Sequence, residues 1–241
     1  MGKIRLYIPQ PLQKGLEFVI KDEQFHYLCN VMKIQIGDII ACFDGENGEF
    51  DCEIIDVAKK QCTASVIRHN HDKQEVPDIW LLFAPIKKDN TDFIIQKATE
   101  LGVKKIIPVQ TRYTITDKIK RDRFIANAIE AAEQCRRTDI PEITGIIKLD
   151  SLLSKWDKTR TLYYMDETLA GKPVKEVFSS APEPCAILVG PEGGFSAEEI
   201  KLLKQTDFAV GVKLGGRILR AETAVVSALS CWQALSGDWI K

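Results

Sequence analysis

The sequence predicts an α/β protein: a mainly parallel sheet covered by helices on both faces, preceded by a small domain of short antiparallel strands. Three observations carry this expectation. From Ile79 onward, strand-like apolar runs alternate with helix-like runs, the pattern of successive β-α units. Before that point, short runs with a period of two are separated by turn signals, which suits a small barrel or sandwich. A chain of 241 residues, 45% hydrophobic and 28% charged, has an ordinary globular composition and the length for one large or two modest domains.

Taken in order, the Gly37-Asp38 turn leads into an apolar run over 39–43, and a loop containing Asn47-Gly48 follows. Phe50, Cys52 and Ile54 then alternate with Asp51 and Glu53, and residues 61–68 repeat the alternation with Cys62, Ala64 and Val66 on one side. The pattern lapses over 69–77, which reads as a linker, so domains are expected at 1–72 and 73–241. His69, His71 and Asp72 fall in this stretch and read as hydrated linker, so no metal is expected. Beyond it, strands are expected over 79–85, 105–109, 142–147, 161–165, 185–190 and 208–214. Helices are expected near 91–101, 120–137, 149–156, 172–179, 196–204 and 222–236. In the second of these, Phe124, Ile125, Ala128, Ile129 and Ala132 share one face at three- and four-residue steps.

Charge and cysteine usage narrow the function. Thirty-three basic residues against 34 acidic ones leave no global excess for nucleic acid, so any such binding must be local. One local excess exists: between Lys104 and Arg137 lie nine basic and four acidic residues, which suits a phosphate-rich partner as well as a solvated helix face. Seven scattered cysteines without a C-x-x-C pair suggest free thiols in a reducing compartment. No apolar run approaches the roughly 20 residues that cross a bilayer, and the amino terminus lacks a signal-like stretch. The expected location is cytoplasmic, without a membrane.

Two segments carry the chemistry. Leu188-Val189-Gly190-Pro191-Glu192-Gly193-Gly194-Phe195-Ser196 runs from an apolar strand through a glycine-rich turn into a helix whose start is marked by a Ser196/Glu199 capping box. Lys213-Leu214-Gly215-Gly216-Arg217-Ile218-Leu219-Arg220-Ala221-Glu222-Thr223-Ala224 repeats the arrangement one β-α unit later. Glycines at such positions let a ligand approach the main chain, and ligands of parallel sheets bind beyond the carboxyl ends of the strands. Tight strand-to-helix connections are the structural alternative. The spacing matches neither the dinucleotide nor the phosphate-loop fingerprint, which disfavours a nucleotide-dependent oxidoreductase. No Ser/His/Asp arrangement is legible, since all three histidines precede residue 72.

With both loops in view, the chain resembles the RsmE family of 16S ribosomal RNA uridine N3-methyltransferases in the SPOUT superfamily, over nearly its whole length. The resemblance rests on Phe43-Asp44-Gly45 and the strand after it, Gln96 to Val103, Ala132-Glu133-Gln134-Cys135 with Arg137, and the two glycine segments. It implies a SPOUT-type parallel sheet whose last segments form a trefoil knot around S-adenosylmethionine, a PUA-like amino-terminal barrel for RNA, and a homodimer acting on the 16S rRNA of the small subunit. The cofactor is expected against Leu188, Gly190, Pro191, Glu192, Gly193 and Gly194 from the first segment. Leu214, Gly215, Ile218, Leu219, Ala221, Thr223 and Ala224 are expected to hold it from the second, and a side chain on Gly193 should crowd it. RNA is expected on Arg5, Lys33, Arg112, Arg136 and Arg137. The chemistry is assigned to Arg220 with Glu222 as its orienting partner, Arg217 and Arg137 being the alternatives. The chain departs from the family pattern at Asn90, where relatives tend to be basic, and at Arg136, where many have glycine. The competing class is a non-catalytic RNA-binding assembly factor.

Overall fold

A computed structural model of the chain describes residues 4–116 and 118–240. Two compact units are present: one of residues up to Glu75 together with Ala132–Ile140, the other of Val76–Ala131 and the residues from Pro141 on.

The first unit contains β1 (Arg5–Tyr7), β2 (Glu17–Lys21), a short helix α1 (Asp22–Phe25) continuing into a π-helical stretch His26–Val31, then β3 (Ile39–Phe43), β4 (Glu49–Val57) and β5 (Gln61–His71). They form one five-stranded sheet in the order β1-β3-β4-β5-β2. β1 lies parallel to β3, with Arg5 opposite Ala41, and the other pairs are antiparallel. Alternation decides which side chains enter the core: Phe18 and Ile20 of β2 are buried between exposed Glu17, Val19 and Lys21, and Cys42, Cys52, Cys62, Ala64 and Val66 pack beside Leu6, Leu28 and Ile40. Burial, reinforced by neighbouring Cys29, pushes the Cys62 thiol up to about 12, so it is an inert core side chain. The expected linker is corrected here. β5 runs on through His71, with His69 opposite Phe50 and His71 opposite Glu49; the apolar pattern lapses because those side chains leave the core, not because the strand ends.

Two further expectations are corrected inside this unit. Arg5 and Arg137, expected to face RNA, are 9% and 6% exposed. The Arg5 guanidinium donates to Glu49 at 2.7 Å and to the carbonyls of Ala132, Glu133 and Arg137 at 2.8, 3.1 and 3.2 Å, and it lies 4.7 Å from the centre of the Phe43 ring. Arg137 grips Asp139 with bonds of 2.6 and 2.9 Å. Glu133 in turn accepts the Tyr7 amide at 2.9 Å. These bonds explain why residues 132–140 belong with the five-stranded sheet although they lie far along the chain; against the expected cut at 72/73, the first compact unit runs to Glu75 and takes in this later segment.

The second unit holds an eight-stranded sheet. In chain order it comprises β6 (Ile79–Phe83), α2 (Lys88–Glu100), β7 (Lys105–Gln110), α3 (Arg121–Cys135), β8 (Glu142–Ile143), β9 (Ile147–Lys148), α4 (Leu149–Ser154), β10 (Thr161–Met165), β11 (Lys172–Pro173), α5 (Val174–Phe178), β12 (Cys185–Val189), α6 (Ala197–Lys204), β13 (Ala209–Lys213) and α7 (Ala221–Leu235). The strand order is β11-β13-β10-β12-β6-β7-β8, with β9 also on β7, and every pairing is parallel. β12 reads Cys-Ala-Ile-Leu-Val and is buried at all five positions, as a central strand covered on both faces should be. The expected strand over 142–147 is two short strands, and the expected helix over 172–179 begins only at Val174, after Pro173. α7 buries Val225, Ala228, Leu229 and Trp232, and the Trp232 indole donates to the Ala181 carbonyl at 3.0 Å.

Asp44 offers a test of the first unit. Its carboxylate accepts the amides of Leu12, Glu46 and Asn47 and the Asn47 side chain, at 2.7, 2.9, 2.7 and 2.7 Å. Burial by itself would raise its pKa, but these bonds outweigh burial and hold it below the ordinary carboxylate value. A depressed folded pKa stabilises the native state above the unfolded value near about 3.9 and loses that contribution as pH falls through the folded value. Asp44→Ala is therefore expected to lower unfolding stability by about 2–3 kcal/mol at pH 7. The gap from the parent should narrow in acid, as read from denaturant midpoints at pH 7 and pH 3.

Candidate functional site

A cavity of about 680 Å³ opens at the carboxyl ends of four neighbouring strands, within the roughly 300–1,000 Å³ typical of small-molecule sites. β6 contributes Lys87 and Asn90 from its loop and the start of α2; β10 contributes Met165, Asp166, Glu167 and Leu169; β12 contributes Val189 to Gly194; β13 contributes Val212, Leu214, Arg217 to Ala221, and Ala224. These strands stand side by side in the order β13-β10-β12-β6, so both glycine loops face one hollow. Expected residues Gly190, Pro191, Glu192, Gly193, Gly194, Leu214, Ile218, Leu219, Ala221 and Ala224 line it, as do Arg217 and Arg220. Leu188 is fully buried beneath it, and Gly215, Thr223 and Glu222 stand outside its wall.

The loop after β12 is held from two sides. At its far end Ser196 caps α6: its hydroxyl accepts the Glu199 amide at 3.2 Å while the Glu199 carboxylate accepts the Ser196 amide at 2.8 Å. One residue earlier Glu167, from the loop after β10, accepts the Phe195 amide at 2.7 Å. Gly194 sits at φ +71°, and a Cβ there would come 2.5 Å from the Glu167 carboxylate. Gly193 lines the hollow, and a Cβ on it would also meet the Cβ of Tyr113 at 3.2 Å.

The expected Arg220–Glu222 pair is not formed. Glu222 lies in the first turn of α7, where a carboxylate favours the helix dipole, and its Oε1 accepts from Asn90 Nδ2 at 3.4 Å. Its other oxygen is buried with no hydrogen-bond partner. Arg220 is the N-cap residue of α7, exposed, and lines the cavity. Met165, Asp166 and Glu167 were missed from the sequence because the loop after β10 holds no glycine before Gly171; the signal available was its place directly after an apolar strand, with Asp166 Oδ1 accepting from the Thr168 amide and hydroxyl at 2.9 and 2.6 Å. Among the described residues no cluster of metal ligands occurs and no helix is long and apolar enough to cross a membrane.

Comparison with known proteins assigns this arrangement. The family model described as RNA methyltransferase domain matches residues 73–233, and that described as RNA methyltransferase PUA domain matches residues 20–67. Ribosomal RNA small subunit methyltransferase E of Bacillus subtilis is 33% identical over 92% of this chain and 91% of its own length. The chain belongs to the ribosomal RNA small subunit methyltransferase E family. The family's member from Rickettsia conorii is 31% identical over 94% of this chain and 93% of its own. Among solved structures, a Legionella pneumophila methyltransferase in complex with its cofactor SAM superposes with a TM-score of 0.89 at 32% identity, covering 99% of this chain and 100% of that one. Methyltransferase E of Neisseria gonorrhoeae bound to S-adenosylmethionine gives 0.89 at 27% identity with the same coverage. The matched domain runs from just before β6 into α7 and so contains every wall of the cavity.

Gly194 is the position at which the loop tolerates change least. Gly194→Ala must hold an alanine in the left-handed region, at roughly 1–2 kcal/mol, and must displace Glu167 from the Phe195 amide. A loss of about 2 kcal/mol or more in unfolding stability is expected. Gly216→Ala, with no atom within 4 Å of the added Cβ, should stay within about 0.5 kcal/mol of the parent on exposure grounds; paired denaturant titrations check both.

Proposed function

We propose that this chain transfers a methyl group from S-adenosylmethionine to N3 of a uridine in the 16S RNA of the small ribosomal subunit. The observation that carries the reading is the single cavity at four parallel strand ends, walled by two glycine loops and bordered by Arg217 and Arg220, in a chain whose relatives of similar fold are solved with that cofactor. The residues fit such a ligand. Val189, Val212, Leu214, Leu219 and Ala224 give apolar walls for a flat ring, the glycine loops expose main-chain donors and acceptors, and Asp166, Glu167 and Glu192 place carboxylates where a cation is held. Bound there, S-adenosylmethionine supplies an electrophilic methyl group on a sulfonium.

The chain's own task is the acceptor. Uracil N3–H is a weakly acidic imide that must lose its proton before it attacks, and a fixed cation beside O2 or O4 lowers the cost of the resulting anion. Arg220 suits this role: its charge is permanent, and as the N-cap of α7 its backbone is fixed while its side chain stays exposed at the cavity. Glu222, held by Asn90, is left as a structural acid at the helix start. A base paired in a duplex hides this edge, so the nucleotide is taken unpaired or extruded. Exposed Lys33, Arg112 and Arg136 are the cations offered to phosphates. The five-stranded unit is read as a PUA-like barrel, supported by the family match at 20–67. The last segments are read as a trefoil knot, supported by β10 lying between β12 and β13 and by α7 packing back on α2 and β12. A cytoplasmic homodimer completes the reading, on the resemblance to the family.

The test is methyl transfer to small-subunit RNA, with nucleosides read by mass spectrometry. Arg220→Ala is expected to bind S-adenosylmethionine within a few-fold of the parent but to methylate roughly a hundredfold to a thousandfold more slowly. The deficit should shrink as pH rises and the imide ionises unaided. A single-turnover rate within a few-fold of the parent at neutral pH removes Arg220 from the chemistry, and an absence of micromolar cofactor binding removes the enzymatic reading itself.

A further inference from the structure

The turn between β7 and α3 carries an aromatic side chain that the reaction described above has not used. Thr111 and Thr114 close this turn with three contacts: the Thr111 amide to Thr114 Oγ1 at 2.8 Å, the two hydroxyls at 2.9 Å, and the Thr114 amide to the Thr111 carbonyl at 3.2 Å. The next amide, of Arg112, donates to Glu199 Oε1 at 2.8 Å. The other oxygen of that carboxylate closes the cap of α6, so one side chain ties this turn to the exit of the glycine loop. Tyr113 is thereby held against the loop: its Cβ, Cγ and Cδ2 lie 3.2, 3.6 and 3.8 Å from where a Cβ on Gly193 would stand. The ring remains 51% exposed, and among the described residues neither its face nor its hydroxyl has a ring or hydrogen-bond partner.

A half-exposed aromatic ring held against Gly193, a residue that lines the cavity, is a stacking platform. We infer that Tyr113 stacks on an RNA base at the mouth of the cavity and so positions the unpaired nucleotide for methylation. The charge around it favours RNA over an apolar partner: Arg112, on the same turn, is exposed and lines with Lys148 a second hollow of about 680 Å³, and Lys118 and Lys120 follow in the sequence. Asp150 and Glu198 also border that hollow, so the cationic attraction is local to the turn. Stacking tolerates any base, because every base has a π-face; it holds a nucleotide without choosing it. Tyr113 is on this view a positioning residue, and the inference rests on the RNA-methylating function proposed above.

The test compares Tyr113→Ala, Tyr113→Phe and Tyr113→Trp in the full chain, with a small-subunit RNA fragment and S-adenosylmethionine. Tyr113→Ala is expected to raise KM for RNA roughly five- to 150-fold, the equivalent of losing one base stack, with cofactor affinity and thermal midpoint unchanged. Tyr113→Phe should stay within about twofold of the parent, and the indole of Tyr113→Trp should be quenched on titration with RNA. An unchanged KM with an unquenched indole overturns the inference while methylation by the parent leaves the function standing. A changed oligomeric state of Tyr113→Ala with unchanged KM also overturns it and gives the ring to a subunit interface. Should the parent transfer no methyl group, the function falls, and the fluorescence titration alone decides the stacking.

Discussion

The Glu167 carboxylate accepting the Phe195 amide is the bond on which the site depends. Central strand β12 is buried at every position and leaves the sheet at once into a turn with three glycines in five residues, a composition that adds backbone freedom. Glu167 anchors that turn to the end of the neighbouring strand β10, and Glu199 anchors it to the helix that follows. Both carboxylates grip the chain just past the glycines, at Phe195 and Ser196, and within the turn Gly194 sits at positive φ. The cavity is thus a product of two acids outside the glycine motif, and the glycines only permit it.

This division explains how much could be read from the sequence. Periodicity and capping chemistry are local, so the parallel α/β architecture, the starts of α6 and α7 and the two glycine loops were all legible. Glu167 was not, because its importance comes from register: Tyr164 lies opposite Leu188, and nothing within the run Met165-Asp166-Glu167-Thr168 announces that neighbour. β1 was hidden for the same reason. Three residues make a strand only because β3, more than thirty positions on, offers a parallel edge.

Arg5 and Arg137 show the limit of charge counting. In sequence they are indistinguishable from Arg112 and Arg136, yet the first two are enclosed by carbonyls and carboxylates while the others reach solvent. The carbonyls that accept from Arg5 lie 127 to 132 positions away, a separation no local pattern reports. Asn90 is the converse case. The carboxylate it meets, Glu222, keeps one buried oxygen without a partner among the described residues.

The interleaving of the two units bears on how the chain is made. Arg5 emerges from the ribosome early, but the carbonyls that neutralise its donors arrive only with residues 132–137. At a synthesis rate of about 5–20 residues per second, the amino-terminal sheet waits several seconds with a guanidinium facing a gap, while β6, α2 and β7 are already out and free to pair. The first unit therefore closes only once residue 137 is out, still ahead of the second unit, whose central strand β12 has yet to be made. A nascent chain stalled before residue 132 holds its amino-terminal sheet without those carbonyls.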